Sequence, residues 1–211
     1  DKLSSPSAVA RKKIDIFKTI RRVLASETRT LSGLQQAVDA SYAGAVRLLA
    51  SCRGKIVLIG TGKSGLVAQK IAATLSSTGS PAHYIHPNDG LHGDVGAIGK
   101  GDVVVTIGKS GESSELNDLL PALKRLKCKL IALTSNRKST LAKAADVVVY
   151  IPVDQEACPL NLAPTNSTTA ALAVGDALAV TLMELKGFGR EHFARLHPGG
   201  QLGRRLTLTV A

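Results

Sequence analysis

From residue 13 to about 26, Ile14, Phe17, Ile20 and Leu24 recur at helical spacing, and from 30 to 51 Leu31, Leu34, Val38, Tyr42, Ala45 and Leu49 do the same. This predicts two N-terminal helices packed on the sheet that follows. After Gly54 the period changes, and KIVLI (55–59), AHYIH (82–86), DVVVTI (102–107), KLIALT (129–134) and DVVVYI (146–151) read as strands. All but one are nearly continuous apolar runs, the pattern of strands covered on both faces. Helix-like segments at 63–78, 113–127 and 139–145 separate most of them, and an Ala-rich segment from about 165 to 186 and a short one at 190–196 follow. The alternation predicts an α/β fold: a three-layer α/β/α domain around a five-stranded parallel sheet with right-handed crossovers. Residues 1–12 read as a flexible polar arm and 13–211 as one domain, with no internal repeat or low-complexity linker.

Composition narrows the class. The chain of 211 residues is 44% apolar and 20% charged, as in soluble globular proteins. No apolar run approaches the roughly 20 residues of a membrane span, and DKLSSPSAVARKK lacks a signal-peptide core. Cys52, Cys128 and Cys158 are too scattered for a disulfide framework or a CxxC metal site, so the expected compartment is the cytoplasm. A net charge of +11 is compatible with nucleic acid, anionic lipid or an anionic small substrate. Six aromatics and short, dispersed basic clusters (Arg11-Lys12-Lys13, Arg21-Arg22, Lys124 to Lys129, Arg204-Arg205) argue against nucleic acid and for a field that draws in small anions.

The anion has two candidate cradles. GTGKSG (60–65) joins a strand to a helix, where backbone N–H groups and the helix dipole hold phosphate. An ATP loop would need a glycine five positions before Gly62, and Val57 stands there. A dinucleotide fingerprint, Gly60-x-Gly62-x-x-Gly65, is satisfied, but its ribose-binding acid would be Asp89, in a Pro/Asn/Gly loop, and no nicotinamide pocket is identifiable. The second cradle, GKSGESSEL (108–116), also follows a strand, so both open onto one edge of the sheet. Lys109, Ser110, Ser113 and Ser114, with a helix start, suit a phosphate monoester; alternatively Ser113 simply caps that helix.

These loops, together with EACPLNLAPTNSTTA (156–170), resemble the sugar isomerase (SIS) domain, a phosphosugar-binding α/β/α module. HGD (92–94), EACPLNLAPT (156–165) and HPGGQLGRRL (197–206) narrow the resemblance to arabinose-5-phosphate isomerases, from about residue 13 onward. Two departures stand out. The family loop usually reads Ser-Asn-Ser-Gly-Glu-Ser, and here it is Gly108-Lys109-Ser110-Gly111-Glu112-Ser113, which loses one hydroxyl and gains a cation. Many members continue into a CBS pair, and this chain matches a form, or a trimmed piece, without it.

The resemblance implies interconversion of D-ribulose 5-phosphate and D-arabinose 5-phosphate through an enediol, supplying a precursor for 3-deoxy-D-manno-octulosonate (KDO), a sugar of lipopolysaccharide, without metal or other cofactor. That chemistry needs a base near C1 and C2, a shuttle for hydroxyl protons and charge at the developing oxyanion. By resemblance the catalytic set is Lys63, Glu115, Glu156 and His197, with His92 beside them, and the phosphate and substrate contacts are Gly62, Ser64, Lys109, Ser110, Ser113, Ser114 and Thr165. Either Glu115 or Glu156 moves the carbon-bound proton. Lys63 as a cation at a helix start opposes the dipole unless an anion arrives. His197 is expected to reach a neighbouring subunit's site in a homo-oligomer, commonly a tetramer. A metal held by His86, His92 and Cys158 fits no standard zinc spacing. The alternatives are an isomerase of another phosphosugar, such as a seven-carbon ketose phosphate, or a non-catalytic phosphosugar sensor.

Overall fold

The computed structural model describes residues 14–198; the arm expected at 1–12 and the part of the HPGG segment beyond Pro198 lie outside them. The strands β1 (Ile56–Gly60), β2 (Ala82–Ile85), β3 (Val103–Ile107), β4 (Lys129–Thr134) and β5 (Val147–Tyr150) fall on the five apolar runs. They form one parallel sheet in the order β2-β1-β3-β4-β5. Alternate residues serve opposite faces. Ile56, Leu58, Val103, Val105, Ile131 and Leu133 pack under α2 (Ala40–Ala50), α3 (Gly62–Ser77) and α7 (Asn166–Leu185). Val57, Ile59, Val104, Leu130 and Ala132 pack under α5 (Ser114–Leu126) and α6 (Thr140–Ala144). The continuous apolar runs are thus explained by burial on both faces.

The N-terminal helices differ from expectation. A single helix, α1, runs from Ile16 to Gln36, through the stretch where the pattern predicts a break. Glu27-Thr28-Arg29-Thr30 contains no breaker, whereas Asp39 is a cap: its carboxylate accepts the Ser41 N–H at 2.9 Å and starts α2. Nor do both helices lie on the sheet. α2 packs on β5 and α7, with the Tyr42 hydroxyl donating to the Tyr150 carbonyl at 2.8 Å, while α1 packs on α7. Ile16, Phe17, Ile20 and Leu24 are between 52% and 75% exposed, so the periodicity there marks an apolar stripe that the described chain does not cover.

Two short elements go beyond the sequence pattern, α4 (Pro87–Leu91) and a 3-10 turn (Asp94–Ala97); Pro87 opens α4 at its first position, where its missing N–H is harmless. α8 (Arg190–Leu196) closes the described chain. At 20 residues and a mean hydropathy of 1.4, α7 meets the length and apolarity of a membrane span, contrary to expectation. In the fold its apolar side is used internally: Ala170, Val174, Leu178 and Leu182 are buried in the core.

Glycines set how closely α3 approaches β1. Gly62 sits at φ +52°, open to glycine with little strain. A Cβ on Gly65 would lie 2.7 Å from the Tyr84 hydroxyl and 2.8 Å from the Gly60 carbonyl, which themselves hydrogen-bond at 2.8 Å. Gly65→Ala is therefore expected to push α3 off the strand and lower unfolding stability by about 1–3 kcal/mol, measured by urea denaturation; an unchanged midpoint would show the approach to be looser than described.

Candidate functional site

In the 2-1-3-4-5 order, β1 and β3 are neighbours whose connections leave in opposite directions, and ligands in such sheets bind beyond the carboxyl ends at this point. The turn after β1 leads into α3, whose N-cap residue Thr61 makes no side-chain cap, leaving the first-turn N–H groups free of such a partner. Lys63 is exposed and Ser64 half-buried on that turn. The turn after β3 runs beside it. Gly111, at φ +65°, is pressed against Ser139, where a Cβ would collide with the Ser139 hydroxyl. Glu112 ties the same loop to α6: one oxygen accepts the Thr140 N–H at 2.9 Å and the other the Asn117 amide at 3.4 Å.

Ser113 caps α5, its hydroxyl accepting the Leu116 N–H at 3.4 Å, so the plain capping role is realised. Ser110 is exposed and accepts the Glu112 N–H at 3.2 Å. Glu115, in the first turn of α5, receives the Ser114 hydroxyl at 3.3 Å. Its own backbone N–H and the Ser113 hydroxyl hold its carboxyl below the usual range, with a smaller pull from the His86 ring. His86, which N-caps α4 by accepting the Asn88 N–H, thus joins the rim; its place in the sequence suggested only a metal ligand.

Glu156 lies between β5 and α7, and its side chain is 3% exposed. One oxygen takes the Lys109 ammonium at 2.6 Å; the other accepts the Thr165 N–H at 2.9 Å, the Ser167 N–H at 3.1 Å and the Thr165 hydroxyl at 3.3 Å. Glu156 therefore caps α7 from ten residues upstream, while Thr165 gives α7 no side-chain cap of its own and instead accepts the Ala157 N–H at 2.8 Å. Burial alone would raise its pKa, but Lys109 and the α7 donors outweigh it and bring it down to about 2. Lys109, expected as a phosphate contact, has its ammonium on Glu156. Beneath it is a cavity of about 20 Å³, bounded in part by Ser64, Lys109, Thr134, Ser135 and Ser167, room for one water-sized group. Ser135, Ser167 and Glu112 carried no sequence signal, because their partners are distant along the chain.

Lys63, Ser64, Lys109, Ser110, Ser113, Ser114, Glu115, Glu156 and Thr165 thus converge at one rim. His92, at the end of α4, is exposed beyond β2. His197 is not among them. α7 begins at the site and runs about 30 Å at 1.5 Å per residue, and Lys186 at its far end donates to Ser80, just before β2. α8 follows at that opposite rim, where the His197 ring stacks on Phe193 at 3.8 Å, with Nδ1 2.8 Å from the Phe193 carbonyl. Among the described residues no three His, Cys, Asp or Glu side chains converge as metal ligands.

Because folded Glu156 ionises more readily than an ordinary carboxyl near 4.5, its contribution to stability is complete above that pH and is lost as pH falls toward 2. The melting temperature of the wild-type chain is expected to fall steeply across that window, and Glu156→Gln to flatten the fall; parallel curves would place the acid sensitivity elsewhere.

Comparison with known proteins agrees with this geometry. The SIS domain model matches residues 48–181. The arabinose 5-phosphate isomerase KdsD of Yersinia pestis is 48% identical over 198 residues, covering 94% of this chain and 60% of that protein. KdsD of Escherichia coli K12 is 49% identical over 196 residues, covering 93% and 60%; this chain thus spans about 60% of the length of these curated relatives. The structure of E. coli CFT073 c3406 in complex with arabinose 5-phosphate superposes with a TM-score of 0.85 at 41% identity, covering 89% of this chain and all of that one. The matched residues take in both helix starts, Lys109 and Glu156, and this chain belongs to the SIS domain family.

Proposed function

We propose that this chain is the isomerase domain of an enzyme interconverting D-arabinose 5-phosphate and D-ribulose 5-phosphate. The observation that carries the reading is the pair of adjacent helix starts, α3 and α5, facing one rim with serine hydroxyls, an exposed lysine and two carboxylates beside them. Similarity to KdsD and to a structure holding arabinose 5-phosphate supports the choice of pentose. The phosphate rests on the α3 N–H groups with Ser64, Ser110, Ser113 and Ser114. The proton leaves C2 of the aldose, an enediol forms, a proton returns to C1, and the hydroxyl proton passes from O2 to O1. Lys63 stabilises the oxyanion, and a rim carboxylate moves the carbon-bound proton. No step of this reaction changes oxidation state overall or calls for a metal or redox cofactor. In the reverse direction the arabinose 5-phosphate formed would supply KDO synthesis in the cytoplasm, without a nucleic-acid or membrane partner.

The imidazole comes from a second copy. His197 of one chain is at the rim opposite its own site, and the exposed stripe of α1 offers an apolar surface for self-association. A homo-oligomer, of which a tetramer is one form, brings His197 of a neighbour to each pocket, with 13–211 acting as one domain.

Incubation with arabinose 5-phosphate, ribulose 5-phosphate and sedoheptulose 7-phosphate in D₂O, followed by NMR, tests the reaction. Deuterium at carbon with the pentose pair alone is expected; exchange with the heptulose, or binding without exchange, contradicts it. Lys63→Ala should lower kcat/KM about 10- to 100-fold, the value of a hydrogen bond to a charged group. Lys63→Ala and His197→Ala chains refolded together should regain turnover that neither has alone, and no recovery would contradict sharing between copies.

A further inference from the structure

We propose that Lys109 is a positioning residue: its ammonium fixes Glu156 as a strut between the loop after β3 and the start of α7, leaving Glu115 as the carboxylate that carries the carbon-bound proton. The inference rests on the isomerase reading above.

A carboxylate has about four lone-pair sites. Glu156 has four donors: Lys109 Nζ on Oε1, and the Thr165 N–H, Ser167 N–H and Thr165 hydroxyl on Oε2. Its backbone is held as well, the Glu156 N–H donating to Asn161 Oδ1 at 2.7 Å. With both oxygens engaged, three donors on Oε2 and Lys109 on Oε1, and its side chain 3% exposed, it is pinned in place, and a turn toward a substrate carbon would have to break these contacts. A group held at a pKa near 2 is also a weak base by Brønsted behaviour. Glu115 is placed differently. It is half-buried on the first turn of α5, its side-chain partners are the Ser113 hydroxyl and, at 3.3 Å, the Ser114 hydroxyl, and His86 lies near enough to attract it. It can accept a proton from a substrate whose phosphate is held by the same loop.

The charged groups around Glu156 come from each element packed on it. Lys109 reaches it from the loop after β3, the α7 N-terminus presents its dipole, and Arg22 of α1 donates to the adjoining Ala157 carbonyl at 2.9 Å. Removing the ammonium leaves burial less opposed, so Glu156 takes up a proton at a higher pH than in the intact chain. A protonated Glu156 loses its grip on the start of α7, and with it the Thr165–Ser167 side of the pocket.

The test measures kcat/KM against pH, and deuterium exchange at C2 of arabinose 5-phosphate, in the full chain. Lys109→Met is expected to add an acid limb displaced upward by at least one pH unit, and Lys109→Arg to return the profile to the wild-type one. Glu115→Gln should reduce exchange at least 100-fold at every pH. The double variant Lys109→Met/Glu156→Gln, which removes both buried charges and so avoids stranding either, should keep exchange within about tenfold of Lys109→Met. Exchange lost in the double variant as completely as in Glu115→Gln, with native thermal unfolding, would overturn the assignment. So would a Lys109→Met profile that superimposes on the wild type. Wild-type exchange in the same series separates the two readings: if it is present, only the roles of Lys109 and Glu156 are at stake, and if it is absent, the isomerase reading falls and takes this inference with it.

Discussion

A carboxylate removed from water has to be answered by donors, and Glu156 is answered from two parts of the fold at once. The ammonium comes from the loop after β3 and the N–H groups from the first turn of α7. One side chain therefore joins the loop after β3 to the long core helix α7. The arrangement is a buried ion pair that also closes a helix end, so its desolvation is offset by hydrogen bonds as well as by charge.

The rest of the rim follows from topology. Reversal of the connections between β1 and β3 puts α3 and α5 on opposite faces of the sheet with their positive ends at the same edge. Glycines let the backbone approach: Gly60 and Gly65 bring α3 against β1, and Gly111 lets the second loop press on Ser139. α7 starts at this rim and carries the chain to the other one, so His197 lies away from the rim that holds Lys63, Glu115 and Glu156. The proposed sharing of that imidazole between copies rests on this separation.

Much of this was legible in the residues because it is local. Continuous apolar runs, buried on both faces, made the five strands visible, and strand–glycine–helix junctions located the two loops that open onto one edge of the sheet. Ser113 read equally well as cap or ligand, and the fold realises the cap. What could not be read was long-range. Lys109 and Glu156 are 47 positions apart, and nothing in either neighbourhood announces the other. The helical period of Ile14, Phe17, Ile20 and Leu24 gave the right element, though Ile14 falls just before its start, but the wrong partner, since periodicity reports an apolar face and not what covers it. The missed boundary at 37–39 reflects a cap, Asp39, that the apolar repeat ran straight across.

The proposed function requires a phosphate monoester on the α3 and α5 starts while Lys109 stays with Glu156. A crystal structure of the chain soaked with arabinose 5-phosphate tests this most directly. The phosphate is expected against the N–H groups of residues 62–64 and the hydroxyls of Ser110 and Ser113, with the Lys109–Glu156 contact still near 2.6 Å. A phosphate bound elsewhere, or Lys109 swung from Glu156 onto it, would contradict that arrangement.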